Sequence, residues 1–394
     1  MTSLVVAGQR YDEQQLLAFD AAQAESALSE NARATLQFAH DWLAGGERFT
    51  LHTSGSTGEP KPIKLTRSQM EASARATGAA LGLHSGQRAL VCLPTRYVAG
   101  CMMLVRGFVL GLETVVVEPA SDPFAELPPT LQSDWQPDFT AFVPLQMQTL
   151  LAAAMSAPAD SCFGDETERA FRYRRLLDGM QAILLGGGPL DEEAQRQVQQ
   201  LAAPIYHTYA MTETATHIAL RRLNGPRATD AFVPLPGVEL ALDARGCLAI
   251  RGAVTNGAWV QTNDLVELRA DGSFVWLGRA DNVINSGGVK VQAEQVEAAV
   301  TTLQNSRPDL AWSGRRLAVT GLPDERLGQV VTLVLEGPPL TAAQEGEIAA
   351  VLRAHLDRFA TPRRFAYLSQ LPLTPTGKID RAGVLNCLNQ DASD

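Results

Sequence analysis

Between about residues 50 and 215 the chain alternates short apolar runs with longer helical stretches. The runs RALVCLP, ETVVVEP, FTAFVPL, QAILLGGG and PIYHTY begin at positions 88, 113, 139, 181 and 204. Each is brief, rich in apolar residues and closed by Gly, Pro or a polar residue, the pattern of a buried strand. Between them, SQMEASARATGAALGL, GCMMLVRGFVLGL, LQMQTLLAAAM and LDEEAQRQVQQLA read as Ala-rich or amphipathic helices. Strand–helix alternation predicts an α/β fold with a parallel sheet, whose ligands gather at the carboxyl ends of the strands. The glycines of LLGGGPL and the segment TYAMTE fall at such ends.

After about residue 230 the pattern changes. VELALDARGCLAIRG and LVELRADGSFVWLGR each read as two strands joined by an Asp- or Gly-bearing turn, a small β-hairpin region. Beyond residue 280 the chain predicts helices in AEQVEAAVTTL and AAQEGEIAAVLRAHLDRF and strands in RLAVTGLP and QVVTLVLEG, a compact α+β unit.

A chain of 394 residues with 45% hydrophobic composition is large enough to bury a substantial core and to form two or three structural units. Its apolar stretches are too short or too interrupted to span a bilayer. The start MTSLVVAGQRYDEQQ has no basic region followed by an apolar one, so the expectation is a cytoplasmic protein without membrane insertion. Cys92, Cys101, Cys162, Cys247 and Cys387 show no CxxC spacing, which disfavours a zinc site or a disulfide framework. The formal net charge of −10 gives no electrostatic footprint for nucleic acid, though it leaves room for local basic pockets that take phosphorylated ligands. Self-association is left open.

The stretch LHTSGSTGEPKPI, residues 51 to 63, invites comparison with a phosphate-binding P-loop. That loop needs GxxxxGK[ST], with its lysine opening a helix. Here Gly55 and Gly58 are three apart, Glu59 and Pro60 precede Lys61, and Pro62 follows. Two prolines remove two N–H donors and disfavour a helix at that lysine. What remains is a flexible loop of Thr53, Ser54, Ser56 and Thr57 hydroxyls among Gly55 and Gly58, ending in a cation, able to close over a polyphosphate. An ordinary Ser/Gly-rich surface loop is the plain alternative.

The rest of the chain tips that balance. TSGSTGEPK (53 to 61), YAMTET (209 to 214), TND (262 to 264), GRADNVINSGG (278 to 288) and PLTPTGKIDR (372 to 381) occur in this order. The series resembles the adenylate-forming, AMP-binding superfamily of acyl-CoA synthetases, adenylation domains and luciferases, and covers nearly the whole chain after residue 50. The resemblance implies a large N-terminal domain, residues 1–279, that binds ATP and the acyl group. It also implies a mobile C-terminal domain, residues 280–394. The implied reaction has two halves: a carboxylate attacks the α-phosphate of ATP and releases pyrophosphate, then the acyl-adenylate passes its acyl group to a thiol.

By this resemblance the residues 53 to 58 and Lys61 hold the β- and γ-phosphates, where many donors can wrap a polyanion without fixing it permanently. Glu213 is the implied Mg2+ ligand, since a hard cation prefers carboxylate oxygen, and Thr212 donates to the α-phosphate. Tyr209 would stack on adenine, with Ala210 and Met211 beside it and the Gly186, Gly187 and Gly188 backbone on the adenine and acyl pocket. Asp264 matches the ribose-binding aspartate of the superfamily's TGD motif, with Asn263 standing where glycine is usual, and Arg279 also reaches the ribose. Asp281 matches the hinge. Gly287 and Gly288 would line the CoA tunnel. Lys378 is the implied catalytic lysine, neutralising charge as the new P–O bond forms and then leaving. Taken singly, these residues have plainer readings: a helix cap for MTE, a tight turn for LLGGGPL, a surface arginine for Arg279 and an exposed lysine turn for PTGKIDR.

For the acyl group, CLPTRYVAGCMMLVRGFVLGLETVVVEP, FVPLQMQ, LLGGGPL and YAMTETATHIALRRLNG resemble the ligases that join o-succinylbenzoate to CoA in menaquinone biosynthesis. That substrate has two carboxylates, and the one not activated must be held by a cation or several donors. Arg106, amid Met, Leu, Val and Phe, matches an arginine of those ligases; a surface arginine with a snorkelling stem is the alternative. Tyr97, Thr214 and His217 are further acyl-pocket candidates, His217 being equally readable as a satisfied core or surface histidine. The serine-rich motif begins at residue 53, where superfamily members commonly carry a longer preceding segment, so part of the pocket wall is expected to be absent. Other readings are an adenylation enzyme serving a carrier-protein thiol and a noncatalytic nucleotide-binding scaffold. The retained Glu213, Asp264 and Lys378 argue against the scaffold.

Overall fold

The computed structural model describes residues 4–21, 28–52, 62–131, 135–156, 165–374 and 379–391. Thr53, Ser54, Gly55, Ser56, Thr57, Gly58, Lys61, Cys162 and Lys378 lie outside the described residues.

A nine-stranded sheet organises the first part of the chain. In spatial order its strands are Val233–Pro234, His217–Arg222, Ile205–Ala210, Ala182–Leu185, Phe139–Phe142, Arg88–Val91, Glu113–Val116, Leu4–Val6 and Gln9–Tyr11. The six from Ile205–Ala210 to Leu4–Val6 are parallel, and antiparallel strands close both edges. The five strands expected from the apolar runs are all present. Four of them are buried almost throughout, as a parallel sheet covered on both faces requires, whereas Ile205–Ala210 is buried mainly at Ile205 and Tyr209.

Strand Arg88–Val91 has strand Glu113–Val116 on one side and Phe139–Phe142 on the other, so the strand order reverses there. Crevices at such points receive ligands in open α/β sheets. Helix Val98–Leu110 starts just beyond this strand. Its close approach depends on Gly100, where a Cβ would sit 2.4 Å from the Pro94 carbonyl oxygen and 2.5 Å from that of Leu93. Helix Arg67–Leu81 packs beside it, opened by a reciprocal capping box between Thr66 and Gln69. Gln69 also donates to the Val254 carbonyl at 2.9 Å, tying this helix to the hairpin region.

Two hydrophobic cores cover the two sheet faces, one around Phe124, Phe142, Met147 and Tyr173, the other around Leu36, Leu81, Met103 and Leu184. The hairpin region is a four-stranded antiparallel sheet of Val238–Leu242, Cys247–Gly252, Val260–Leu268 and Phe274–Arg279, as the turn residues predict. Further along, strands Val283–Ser286, Val289–Gln292, Leu317–Asp324, Gly328–Glu336 and Arg364–Leu368 form a separate sheet. Helices Ala293–Ser306 and Ala342–His355 pack on it around Trp312.

The Ser/Gly stretch does not join a strand to a helix. Strands Arg48–His52 and Pro62–Thr66 flank it and pair antiparallel, with His52 opposite Pro62. A hairpin in place of a strand-to-helix turn is the backbone reason that the P-loop comparison fails. Among the described residues no helix is long and apolar enough to cross a membrane.

Candidate active site

The carboxyl ends of Ala182–Leu185 and Ile205–Ala210 bring two predicted segments side by side, because the two strands pair in parallel. After the first, Gly186 donates its N–H to the Phe142 carbonyl at 3.0 Å. Gly187 has φ +91°, a conformation L side chains rarely adopt, which explains the glycine there. The segment ends at helix Glu192–Val198, capped by Asp191.

After the second strand comes Met211, then a single 3-10 turn, Thr212–Thr214. Ala210 and Glu213 are exposed, and Met211 and Thr212 half-buried. Thr214 is fully buried, with its hydroxyl against the Met211 and Thr216 carbonyls at 3.1 and 2.8 Å. That hydroxyl closes the turn. Ala215 takes φ +63° and ψ −47°, and Thr216 N–H reaches the Thr214 carbonyl at 2.7 Å, forming a tight γ-turn. Such turns are strained for a non-glycine residue and persist only where packing over-determines them. Ala215 is 0% exposed, and its burial holds Glu213 at the strand end.

Tyr209 and Asp264 meet directly. The phenol donates to Asp264 Oδ2 at 2.5 Å, and Trp276 Nε1 donates to Oδ1 at 3.3 Å. Asp264 lies opposite Arg279 in the hairpin sheet, with Arg279 Nη1 at 3.7 Å from Oδ1. Burial, then the Asp264 charge, pushes the Tyr209 hydroxyl well above the ordinary phenol range, so it remains a donor. The Tyr209 ring packs edge-on against Phe274 and Phe232, which orients the residue through its hydroxyl.

Asn263, the departure from the TGD pattern, makes a bond that glycine could not. Its Nδ2 donates to Asp281 Oδ1 and Oδ2 at 3.2 and 3.3 Å, and its Oδ1 accepts from Arg245 at 3.1 Å. Arg279 also pairs with Asp281 at 2.8 Å. Two side chains of the hairpin sheet therefore grip the residue matched to the hinge. An Asn263→Ala variant is expected to speed amide exchange of residues 280 to 283 about 2- to 5-fold, since a net hydrogen bond contributes ~0.5–1 kcal/mol. Exchange at the parental rate would separate Asn263 from the hinge.

Gly287 and Gly288 turn the hairpin between Val283–Ser286 and Val289–Gln292, with φ +60° and +83°. Two successive positive φ values define a two-residue type I′ connection, which accounts for both glycines.

A second cluster lies under helices Arg67–Leu81 and Val98–Leu110. Arg106 is 2% exposed, and its Nη2 is 3.5 Å from His217 Nδ1. Its Nη1 lies 3.7 Å from Met103 Sδ, and its Nε has no partner among the described residues. No carboxylate pairs with it among the described residues. Burial pulls this guanidinium down to about 10, still cationic at neutral pH. His217 is also buried, its Nε2 3.0 Å from Thr77 Oγ1. Desolvation, then the Arg106 charge, keeps His217 neutral by lowering it well below the usual imidazole range. Tyr97 is not in this cluster. It stands before the first turn of helix Val98–Leu110, under the Arg96 guanidinium, about 13 Å of helix rise from Arg106.

Thr77, Ser73 and Trp276 escape sequence reasoning. Ser73 and Thr77 are spaced four apart on a helix that is otherwise Ala-rich, and that i,i+4 polar pair on a buried face is the signal available.

An α/β sheet with glycine and acidic turns at its strand ends, beside a buried aspartate–tyrosine pair, is the frame of a nucleotide-using enzyme. The family described as AMP-binding enzyme matches residues 5–254, and the chain belongs to that family. A Mycobacterium tuberculosis protein named as a probable 2-succinylbenzoate–CoA ligase is 32% identical over 360 residues, covering 86% of this chain and 83% of its own. The crystal structure of an acyl-CoA synthetase (AMP-forming)/AMP-acid ligase II-like protein from Dyadobacter fermentans is similar at 39% identity. Its TM-score is 0.59, with 93% of this chain and 97% of that one covered. The o-succinylbenzoate CoA synthetase of Bacillus subtilis, solved with its acyl-adenylate, shares the fold at 22% identity and TM-score 0.64, over 85% of this chain and 68% of that one.

Proposed function

We propose that this AMP-binding enzyme is an acid–thiol ligase that adenylates o-succinylbenzoate with ATP and transfers the acyl group to CoA. The observation that carries the substrate is Arg106, a buried cation with an unpartnered Nε and no carboxylate paired to it among the described residues. Isolated buried charge is costly, and a carboxylate from the ligand relieves that cost. A dicarboxylic acid can supply one carboxylate to Arg106 while the other reacts.

In the first half-reaction the free carboxylate attacks the α-phosphorus and pyrophosphate leaves. The loop of Thr53 to Gly58 with Lys61 holds the β- and γ-phosphates, and Thr212 donates to the α-phosphate. Asp264, kept in place by Tyr209 and Trp276, accepts from the ribose hydroxyls beside Arg279. Glu213 is an exposed carboxylate at the strand end, a donor that fits Mg2+, which takes one or two carboxylates and fills its shell with phosphate oxygens and water. The ion, when bound, neutralises phosphate charge. Lys378 stabilises the developing P–O bond, then must withdraw.

In the second half-reaction the CoA thiol attacks the acyl carbonyl and AMP departs. We assign residues 1–279 to the ATP- and acyl-binding domain and 280–394 to a domain that turns about Asp281, exchanging Lys378 for the Gly287–Gly288 hairpin beside the CoA path.

The substrate assignment is tested with analogues of o-succinylbenzoate that retain only one carboxylate. Pyrophosphate release should fall at least ~100-fold for them, because a site built around a buried polar group rejects ligands that leave it unpaired. Equal rates with the diacid and its analogues would remove Arg106 from substrate recognition.

A further inference from the structure

The hydrogen-bond directions around Arg106 can be read from one end to the other. A guanidinium has only donors, so His217 Nδ1, 3.5 Å from Arg106 Nη2, must present its lone pair. A neutral imidazole with a bare Nδ1 carries its proton on Nε2. That N–H points at Thr77 Oγ1, 3.0 Å away, and the threonine oxygen accepts it. The hydroxyl proton of Thr77 then goes to the backbone carbonyl of Ser73, one helical turn earlier, at 2.9 Å. Arg106 Nη2, His217 Nε2 and Thr77 Oγ1 thus each meet an acceptor, and Thr77 and Ser73 are both 0% exposed, so water does not compete.

The opposite tautomer fails at the other end. With the proton on Nδ1, His217 would face Arg106 donor to donor, leaving two buried donors without acceptors. Arg106 sets the tautomer, since a threonine hydroxyl can donate as well as accept; Thr77 holds the ring in it, because its oxygen gives the Nε2 proton an acceptor.

We propose that Thr77 is a positioning residue for acid recognition: it accepts the Nε2 proton of His217 and so holds the ring with Nδ1 accepting from Arg106, which leaves the remaining Arg106 donors for the incoming carboxylate. This rests on the reading that Arg106 takes the carboxylate that is not activated. The Nε of Arg106, unpartnered among the described residues, is the donor left for it, and the Ser73 hydroxyl, buried and likewise without a partner among them, shares the helix face with Thr77.

The test uses the full-length enzyme and two variants, Thr77→Val, which keeps the shape and removes the oxygen, and Thr77→Ser, which keeps the oxygen. Histidine-selective 15N spectra, with the His217 signal assigned through His217→Gln, should show a protonated Nε2 and a bare Nδ1 in the parent and in Thr77→Val a displaced Nε2 resonance as its hydrogen bond is lost. In pyrophosphate-release kinetics, Thr77→Val should raise KM for the diacid about tenfold with kcat changed less than about twofold, and Thr77→Ser should restore the parental KM. A parent protonated on Nδ1, a Thr77→Val spectrum like the parent's, or an unchanged KM would each overturn the proposal. Failure of the substrate reading looks different: the parent enzyme itself would release no pyrophosphate with the diacid, while the imidazole spectra still decide whether Thr77 orients His217.

Discussion

Replacing Arg106 by methionine should lower kcat/KM for o-succinylbenzoate about 100- to 1,000-fold while making the protein more stable. The two effects have one cause. At neutral pH the guanidinium is charged in both folded and unfolded chains, and burial without a counter-ion among the described residues pulls its ionisation down to about 10, the direction of a costly buried charge. One unit of displacement is ~1.4 kcal/mol, so removing the charge should return about 1–3 kcal/mol to the folded state after lost packing is allowed for. The loss of activity is the converse: a buried charge-assisted bond to a ligand carboxylate is commonly worth about 2–5 kcal/mol. Steady-state pyrophosphate release and a denaturation midpoint check both. A variant that loses stability along with activity would mark Arg106 as a structural residue.

Lys378→Ala should slow adenylation about 100- to 1,000-fold, the range for removing one preorganised charge from a developing oxyanion. Thioester formation from acyl-adenylate supplied directly should stay within about threefold of the parent, because the lysine has left before CoA enters. Single-turnover measurements of each half-reaction separate the two. Equal loss in both halves would contradict a lysine that serves only the first.

Much of the frame was legible because buried parallel strands are almost wholly apolar. RALVCLP and QAILLGGG could be read as strands without help from distant residues. Leu4–Val6 and Gln9–Tyr11 could not, since three residues carry no periodicity, and their place beside Glu113–Val116 is decided by tertiary pairing. The hairpin around the Ser/Gly stretch carries a local signal as well: RFTLH and PIKLT each alternate polar and apolar residues, the period of a half-buried strand, and their pairing register completes it. Helix Asp165–Asp178 carries a readable signal too, with Ala170, Tyr173, Leu176 and Leu177 buried at helical spacing inside a charged segment.

The site divides along the same line. Residues that act through backbone position, such as Gly187 or Gly287, announce themselves as glycines in a motif. Residues that act through partners do not. Nothing local says that Tyr209, expected to stack on adenine, also holds Asp264 through its hydroxyl, or that Asn263 reaches Asp281. Arg106 and His217 are 111 residues apart, and Thr77 is 140 from His217, so their convergence belongs to the fold alone.

The most direct test of the account is pyrophosphate release from ATP across a panel of carboxylic acids, followed by addition of CoA. The account predicts release with o-succinylbenzoate ahead of its monocarboxylate analogues, and a CoA thioester once the thiol is present. Release with no acid at all, or acyl transfer only to a carrier-protein thiol, would contradict it.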